Sequence, residues 1–314
     1  RALAGVALAD YRQFHHFRRT TCAYIGAESA FDPLEHVGYS ARVGRRYRHR
    51  GPEAKLVELA ESGAGVPALH PFTPYEWFTP FIEPLDEMIE ARGYATSARP
   101  DQVVEVMQAS GYVKDDDSMW VDAAGDRVEI SMYVPQWLKP YAPPLTQQLR
   151  DAGFDAAFDT SPGLASLAQT GEQKAYLGCK GPSGVRGMDP FMMLSVYTSQ
   201  YYRPTGQPAP LWSTTSRWRN DEYDSIVEQV APLEVGDPEL QQLFLDAMEI
   251  WVDEMPDIFL AQLIIRYPLN NSRWTGWPSQ SDPYGFPHSW QWELLKTFIR
   301  LEPTREIPLP VAMN

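Results

Sequence analysis

The stretch from Val128 to Phe158 restricts the fold more than any other. Val128, Ile130, Met132 and Val134 alternate with Glu129, Ser131 and Tyr133, which predicts a half-buried strand. Pro143 and Pro144 then open a helix carrying Leu145 and Leu149, because proline tolerates the first turn, where its missing N–H costs nothing. Gly153 ends that helix, and a second strand follows over 154–158. A strand, a helix and a strand joined by a crossover of this length pack as parallel neighbours with a right-handed connection. The chain is therefore read as α/β.

The neighbouring signals agree. Leu85, Met88 and Ile89 fall at helical spacing before Gly93, and Val103, Val104, Val106 and Met107 do so between Pro100 and Gly111. Gly125 marks a turn within 122–126. Ala175, Leu177 and Cys179 predict a further strand that runs into a glycine-rich loop over 181–187, with a helix starting at Asp189 and Pro190. That order matches a ligand-binding edge of an α/β sheet, although the loop lacks the spacing of a nucleotide-binding motif. Tyr223, Ile226, Val227 and Val230 form a helical stripe. Leu240, Leu243, Phe244, Ala247, Met248 and Trp251 form a longer one after Asp237 and Pro238. The apolar run 258–265 suits a buried strand. From Tyr267 to Pro303 the chain is rich in Trp, Pro and Tyr with little periodicity, so extended segments are expected there.

A formal net charge of -14 opposes nucleic-acid binding, which needs clustered cations. Residues 1–50 depart from this balance: they hold nine Arg, no Lys and four acids, together with four of the six histidines. No apolar run is long enough to span a bilayer. Cys22 and Cys179 have no metal-ligand spacing, and His70 and His288 are isolated, so neither a metal nor a cofactor is expected. The ten tryptophans exceed what a core of this size needs, and Trp212, Trp274 and Trp277 stand in Pro-, Gly-, Ser- and Asn-rich stretches. Rings on loops make flat apolar platforms with polar rims, suited to sugar faces or peptide side chains. Abundant carboxylates would also fit a secreted carbohydrate-active enzyme, a glycoside hydrolase needing two of them across a sugar. No nucleophile elbow, HExxH pair or Cys/His couple is present.

Several short motifs occur in a fixed order: Gly111-Tyr112, Trp120-Val121-Asp122 with Gly125, Gln148-Leu149, Ala152-Gly153-Phe154-Asp155-Ala156, and the glycine-rich loop ending in Asp189-Pro190. Arg217-Trp218, Asn220, Glu222-Tyr223-Asp224, Met248 to Trp251, Pro256, Asn270-Asn271, Trp274, Trp277-Pro278 and Asp282-Pro283-Tyr284 continue the series. In this order, from about Glu53 to Pro303, the chain resembles family 5 of the bacterial extracellular solute-binding proteins, the dipeptide, oligopeptide and nickel group.

The resemblance implies a two-lobed fold of the type II periplasmic-binding-protein kind, closing over a ligand. This chain would supply mainly the later lobe, over 51–265, and a C-terminal segment, 266–314, returning to the first lobe. It implies an extracytoplasmic solute-binding component of an ABC transporter, periplasmic or a cell-surface lipoprotein. Such a protein is a monomer that hands a small solute to a permease, and it is not an enzyme. Peptide-binding members usually carry an aspartate four residues before the proline of the Asp-Pro pair, where it holds the ligand's ammonium. Arg186 stands there in this chain. Together with the Gly-Pro-Ser-Gly form of the loop, this favours an oligosaccharide or related solute over a peptide. Ser183, Gly184, Arg186, Trp212, Arg217, Trp274 and Trp277 are the expected ligand-binding residues. Members also place an apolar helix just before Leu56, whereas 42–50 is arginine-rich, so residues 1–50 are read as out of frame or otherwise misassembled. A chain lacking most of the first lobe is expected to bind its ligand weakly, with a sticky tail.

Overall fold

The computed structural model describes residues 21–30, 56, 59–60, 66–72, 78–94, 100–178, 190–209, 217–234, 236–266, 269, 271–278 and 293–304. In chain order they form β1 (Thr21–Ala30), β2 (Val66–Pro67), α1 (Thr79–Ala91), α2 (Pro100–Ala109), β3 (Val113–Lys114) and β4 (Trp120–Val121). There follow β5 (Glu129–Tyr133), α3 (Ala142–Asp151), β6 (Asp155–Asp159), α4 (Leu164–Thr170) and β7 (Ala175–Gly178). The chain continues through α5 (Pro190–Ser195), α6 (Asp221–Val230), α7 (Pro238–Glu254), β8 (Ile258–Arg266), β9 (Trp274–Thr275), α8 (Glu293–Arg300) and β10 (Glu302–Pro303).

Six strands form one sheet in the order β2-β8-β1-β7-β5-β6. All its pairings are parallel except that of β2 with β8. The alternation along each strand sorts side chains onto two faces. On β7, Tyr176 and Leu177 enter different cores, and on β8 Phe259 and Leu260 do the same. One face is covered by α1, α4, α5, α6 and α7, and the other by α2 and α3 with Trp120. A sheet buried on both sides by helices is the α/β architecture that the crossover pattern required.

Helix α1 buries Phe81, Ile82, Leu85 and Ile89, one stripe at helical spacing, yet Pro84 lies inside it. A proline there cannot donate to the carbonyl of Pro80. That oxygen instead accepts the side-chain amide of Gln241 at 2.6 Å, so the contact between α1 and α7 also fills the missing bond. Phe72, Phe78 and Phe81 surround Phe244 of α7 with ring centroids 4.8, 5.5 and 5.3 Å away, all edge-on to it, the arrangement aromatic quadrupoles favour. His70 is buried beside them. Its Nδ1 accepts the N–H of Phe72 at 3.1 Å and its Nε2 faces Asp86 at 3.3 Å, so the ring serves packing.

Helix α6 starts at Asn220, whose side chain accepts the N–H groups of Glu222 and Tyr223, both at 2.9 Å. Helix α7 starts at Asp237, which accepts from Glu239 at 2.9 Å, with Pro238 in its first turn. On the opposite face of the sheet, Trp120 Nε1 donates to Ala152 O at 2.9 Å, and its own N–H donates to Gly153 O at 2.7 Å. Gly153 has φ 96°, and a Cβ there would stand 3.0 Å from both Ser118 O and the indole. A side chain at this position would push Trp120 out of its seat.

Three features depart from the periodicity. The tail after Tyr267 was expected to be extended, but it contains α8, in which Leu295, Phe298 and Ile299 are spaced at i, i+3 and i+4 and all exposed. That short pattern is submerged in an aromatic and proline-rich stretch. Helix α4 has no apolar stripe legible in the sequence, because only Ala168 of it is fully buried. Residues 1–50 offered no readable element, yet β1 lies between β7 and β8 in the sheet.

Candidate ligand crevice

Strands β5 and β7 are neighbours, and the chain leaves them in opposite directions. From β5 it crosses through α3, on the Trp120 face, to β6. From β6 it returns through α4, on the other face, past β5 to β7. After β7 the next helix, α5, packs on the α4 face, with Met193 and Leu194 in that core. Adjacent parallel strands whose following helices lie on opposite faces leave an open crevice at their carboxyl ends, the usual place for a ligand in an open α/β sheet.

The β5 side of this crevice is built by rigid pieces. Val134 donates to Asp159 O at 2.8 Å, carrying the β5–β6 pairing one residue past the strand. Pro135 then turns the chain into a short 3-10 helix over Gln136–Tyr141, closed by Leu138 N–H on Pro135 O at 2.9 Å. Leu138 and Tyr141 sink into the core, and Gln136 Nε2 reaches Thr160 O at 3.4 Å. Trp137, between these anchors, is 59% exposed. No signal in the sequence separated it from the other tryptophans, although its place directly after the strand and between Pro135 and Pro140 could have done so.

At the end of β6, Asp159 accepts the N–H of Ser161 at 2.8 Å. The Ser161 side chain and that N–H hold the Asp159 carboxyl below its ordinary value, so it is ionised at physiological pH. A carboxylate of this kind accepts hydrogen bonds from ligand hydroxyls. It is poorly suited to be the general acid of a hydrolase, which needs a raised pKa.

Of the residues expected to bind ligand, Ser183, Gly184, Arg186 and Trp212 lie outside the described residues. The first three follow Gly178, the last residue of β7, in sequence. Arg217 is half-buried with φ 59°. Its guanidinium donates to the carbonyls of Gln169 and, at 2.8 Å, of Arg203. It therefore ties the segment before α6 to the end of α4, on the amino side of β7, whereas the crevice is on the carboxyl side. Trp274 is 38% exposed in the ribbon of β9 and β10, where it pairs with Pro303. Trp277 is half-buried, with Nε1 enclosed and without a hydrogen-bond partner among the described residues. Also among the described residues, no group of His, Cys, Asp and Glu could hold a metal ion, and no helix is long and apolar enough to cross a membrane.

No family model matches the sequence, and no curated protein sequence matches it significantly. Solved structures do. A periplasmic oligopeptide-binding protein of an oligopeptide ABC transporter from Thermotoga maritima matches with a TM-score of 0.60 at 17% identity, over 86% of this chain and 50% of its own. The same protein with mannohexaose bound matches with a TM-score of 0.57 at 17% identity, over 87% of this chain and 50% of its own. HbpA2 from Haemophilus parasuis matches with a TM-score of 0.51 at 19% identity, over 79% of this chain and 44% of its own. The chain thus spans about half the length of the Thermotoga structures. Mixed sheet and helices, the strand order and this likeness together show that the chain has the fold of part of a two-lobed periplasmic binding protein.

Proposed function

We propose that this chain is the later lobe, 51–265, and the C-terminal return, 266–314, of an extracytoplasmic solute-binding component of an ABC transporter, with an oligosaccharide or related small solute as ligand. The observation that carries the reading is the crevice between the carboxyl ends of β5 and β7, set in a fold similar to periplasmic binding proteins. Capture is reversible: two lobes close around the solute, hydrogen bonds and aromatic rings hold it, and the loaded protein docks on a permease. No covalent step is required. Arg186 favours a ligand without an ammonium group at that point, since two cations repel. The mannohexaose in one of the similar structures gives the class of probe.

Prolonged incubation with mannohexaose or cellohexaose, followed by chromatography of the sugar, tests the reading. Intact hexasaccharide recovered alongside saturable binding is the expected result. Shortened products would make the chain a carbohydrate-active enzyme.

A further inference from the structure

We infer that Trp137 is a stacking platform for a pyranose ring at the β5 side of the crevice; this rests on the oligosaccharide reading above. The indole of Trp137 is 59% exposed, the most exposed of the tryptophans among the described residues, and offers a large apolar face to a partner. Trp120, Trp218 and Trp251 are each no more than 2% exposed. The exposure of Trp137 is not the result of slack backbone. Leu138 and Tyr141 anchor the turn in the core, three residues apart on one side of a helix that repeats every three. Pro135 and Pro140 fix the backbone, and Gln136 clips the turn to Thr160. The ring is thus presented by a pre-ordered segment, so binding to it costs little additional ordering.

Its position decides what it meets. Trp137 stands four residues past Tyr133, the last residue of β5, at the switch between β5 and β7, and its neighbour Gln136 bonds to Thr160 in the turn after β6. A flat apolar ring, one residue from the Gln136 link to Thr160 and at the end of the sheet where polar loop groups gather, matches the two-sided chemistry of a sugar, whose C–H face stacks while its hydroxyls bond to polar acceptors.

The test is titration of the chain, at ligand concentrations extending into the millimolar range, with mannohexaose and with cellohexaose, for wild type, W137A and W137F. Wild type is expected to bind at least one of the two. W137A should bind roughly tenfold more weakly, the scale of one lost aromatic contact, with W137F in between and all three melting at the same temperature. The ligand-induced change in tryptophan emission should shrink in W137A. Equal affinity for wild type and W137A would overturn the stacking role while leaving the oligosaccharide reading intact. Absence of binding by wild type to either sugar would overturn both.

Discussion

Trp120 and Gly153 are 33 positions apart, and the fit between them is a property of single atoms. The indole donates to Ala152 O, and the absent Cβ of Gly153 leaves the space that the ring and Ser118 O occupy. Gly153→Ala would place a methyl group 3.0 Å from a backbone oxygen at φ 96° and is expected to cost about 1–3 kcal/mol, measured as a shift in the urea midpoint at unchanged slope. An unchanged midpoint would mean that the turn relaxes freely. Both residues stood out in the sequence, one as a tryptophan before a turn and the other as a helix stop, but nothing in it showed that they meet. The same limit applies to the tryptophans. Composition marks an excess of rings, while burial depends on contacts between distant segments, so Trp137 could not be told apart from Trp120 or Trp251. The bonds from Arg217 to the carbonyls of Gln169 and Arg203 are likewise contacts between distant segments that the sequence does not show.

Helices with their own caps were the most legible elements. The Asn220 and Asp237 starts, the stripes of α6 and α7 and the Pro143-Pro144 opening of α3 all rest on interactions within a few residues. Asn220→Ala removes an acceptor for two N–H groups and a donor to Glu254 Oε1 at 2.8 Å. The expected loss is about 1–2 kcal/mol by thermal or urea denaturation. Asn220→Asp should retain the cap but place a second carboxylate against Glu254, so it should recover only part of that loss. A variant as stable as wild type would show that α6 is held by packing alone. Helices such as α4, between Gly163 and Gly171, carry too few buried residues to announce themselves. In α1 the interior Pro84 argues against a helix until the side chain of Gln241, 161 positions from Pro80, bonds to the Pro80 carbonyl left free.

At the scale of the molecule, pattern gives the class and topology gives the site. Alternation and crossover length foretold parallel α/β packing, but the order β2-β8-β1-β7-β5-β6 joins strands from opposite ends of the chain, and local signals do not encode such pairings. The third strand in that order, Thr21–Ala30, belongs to the arginine-rich segment 1–50, which carries no legible periodicity. The glycine-rich loop that follows β7 in sequence is read as a binding edge from its strand-loop-helix order alone, and it lies outside the described residues. The segments past β5 and β6 gain their place at the crevice only from the pairing of β5 with β7, which no local signal encodes. The central claim is that a sugar is captured at that place. An amide NMR titration of the chain with mannohexaose tests it most directly. Saturable shifts concentrated at Val134–Leu138 and Asp159–Ser161, with the sugar unaltered, are expected; shifts absent from these segments and confined to the β9–β10 ribbon or the helices away from the crevice would contradict it.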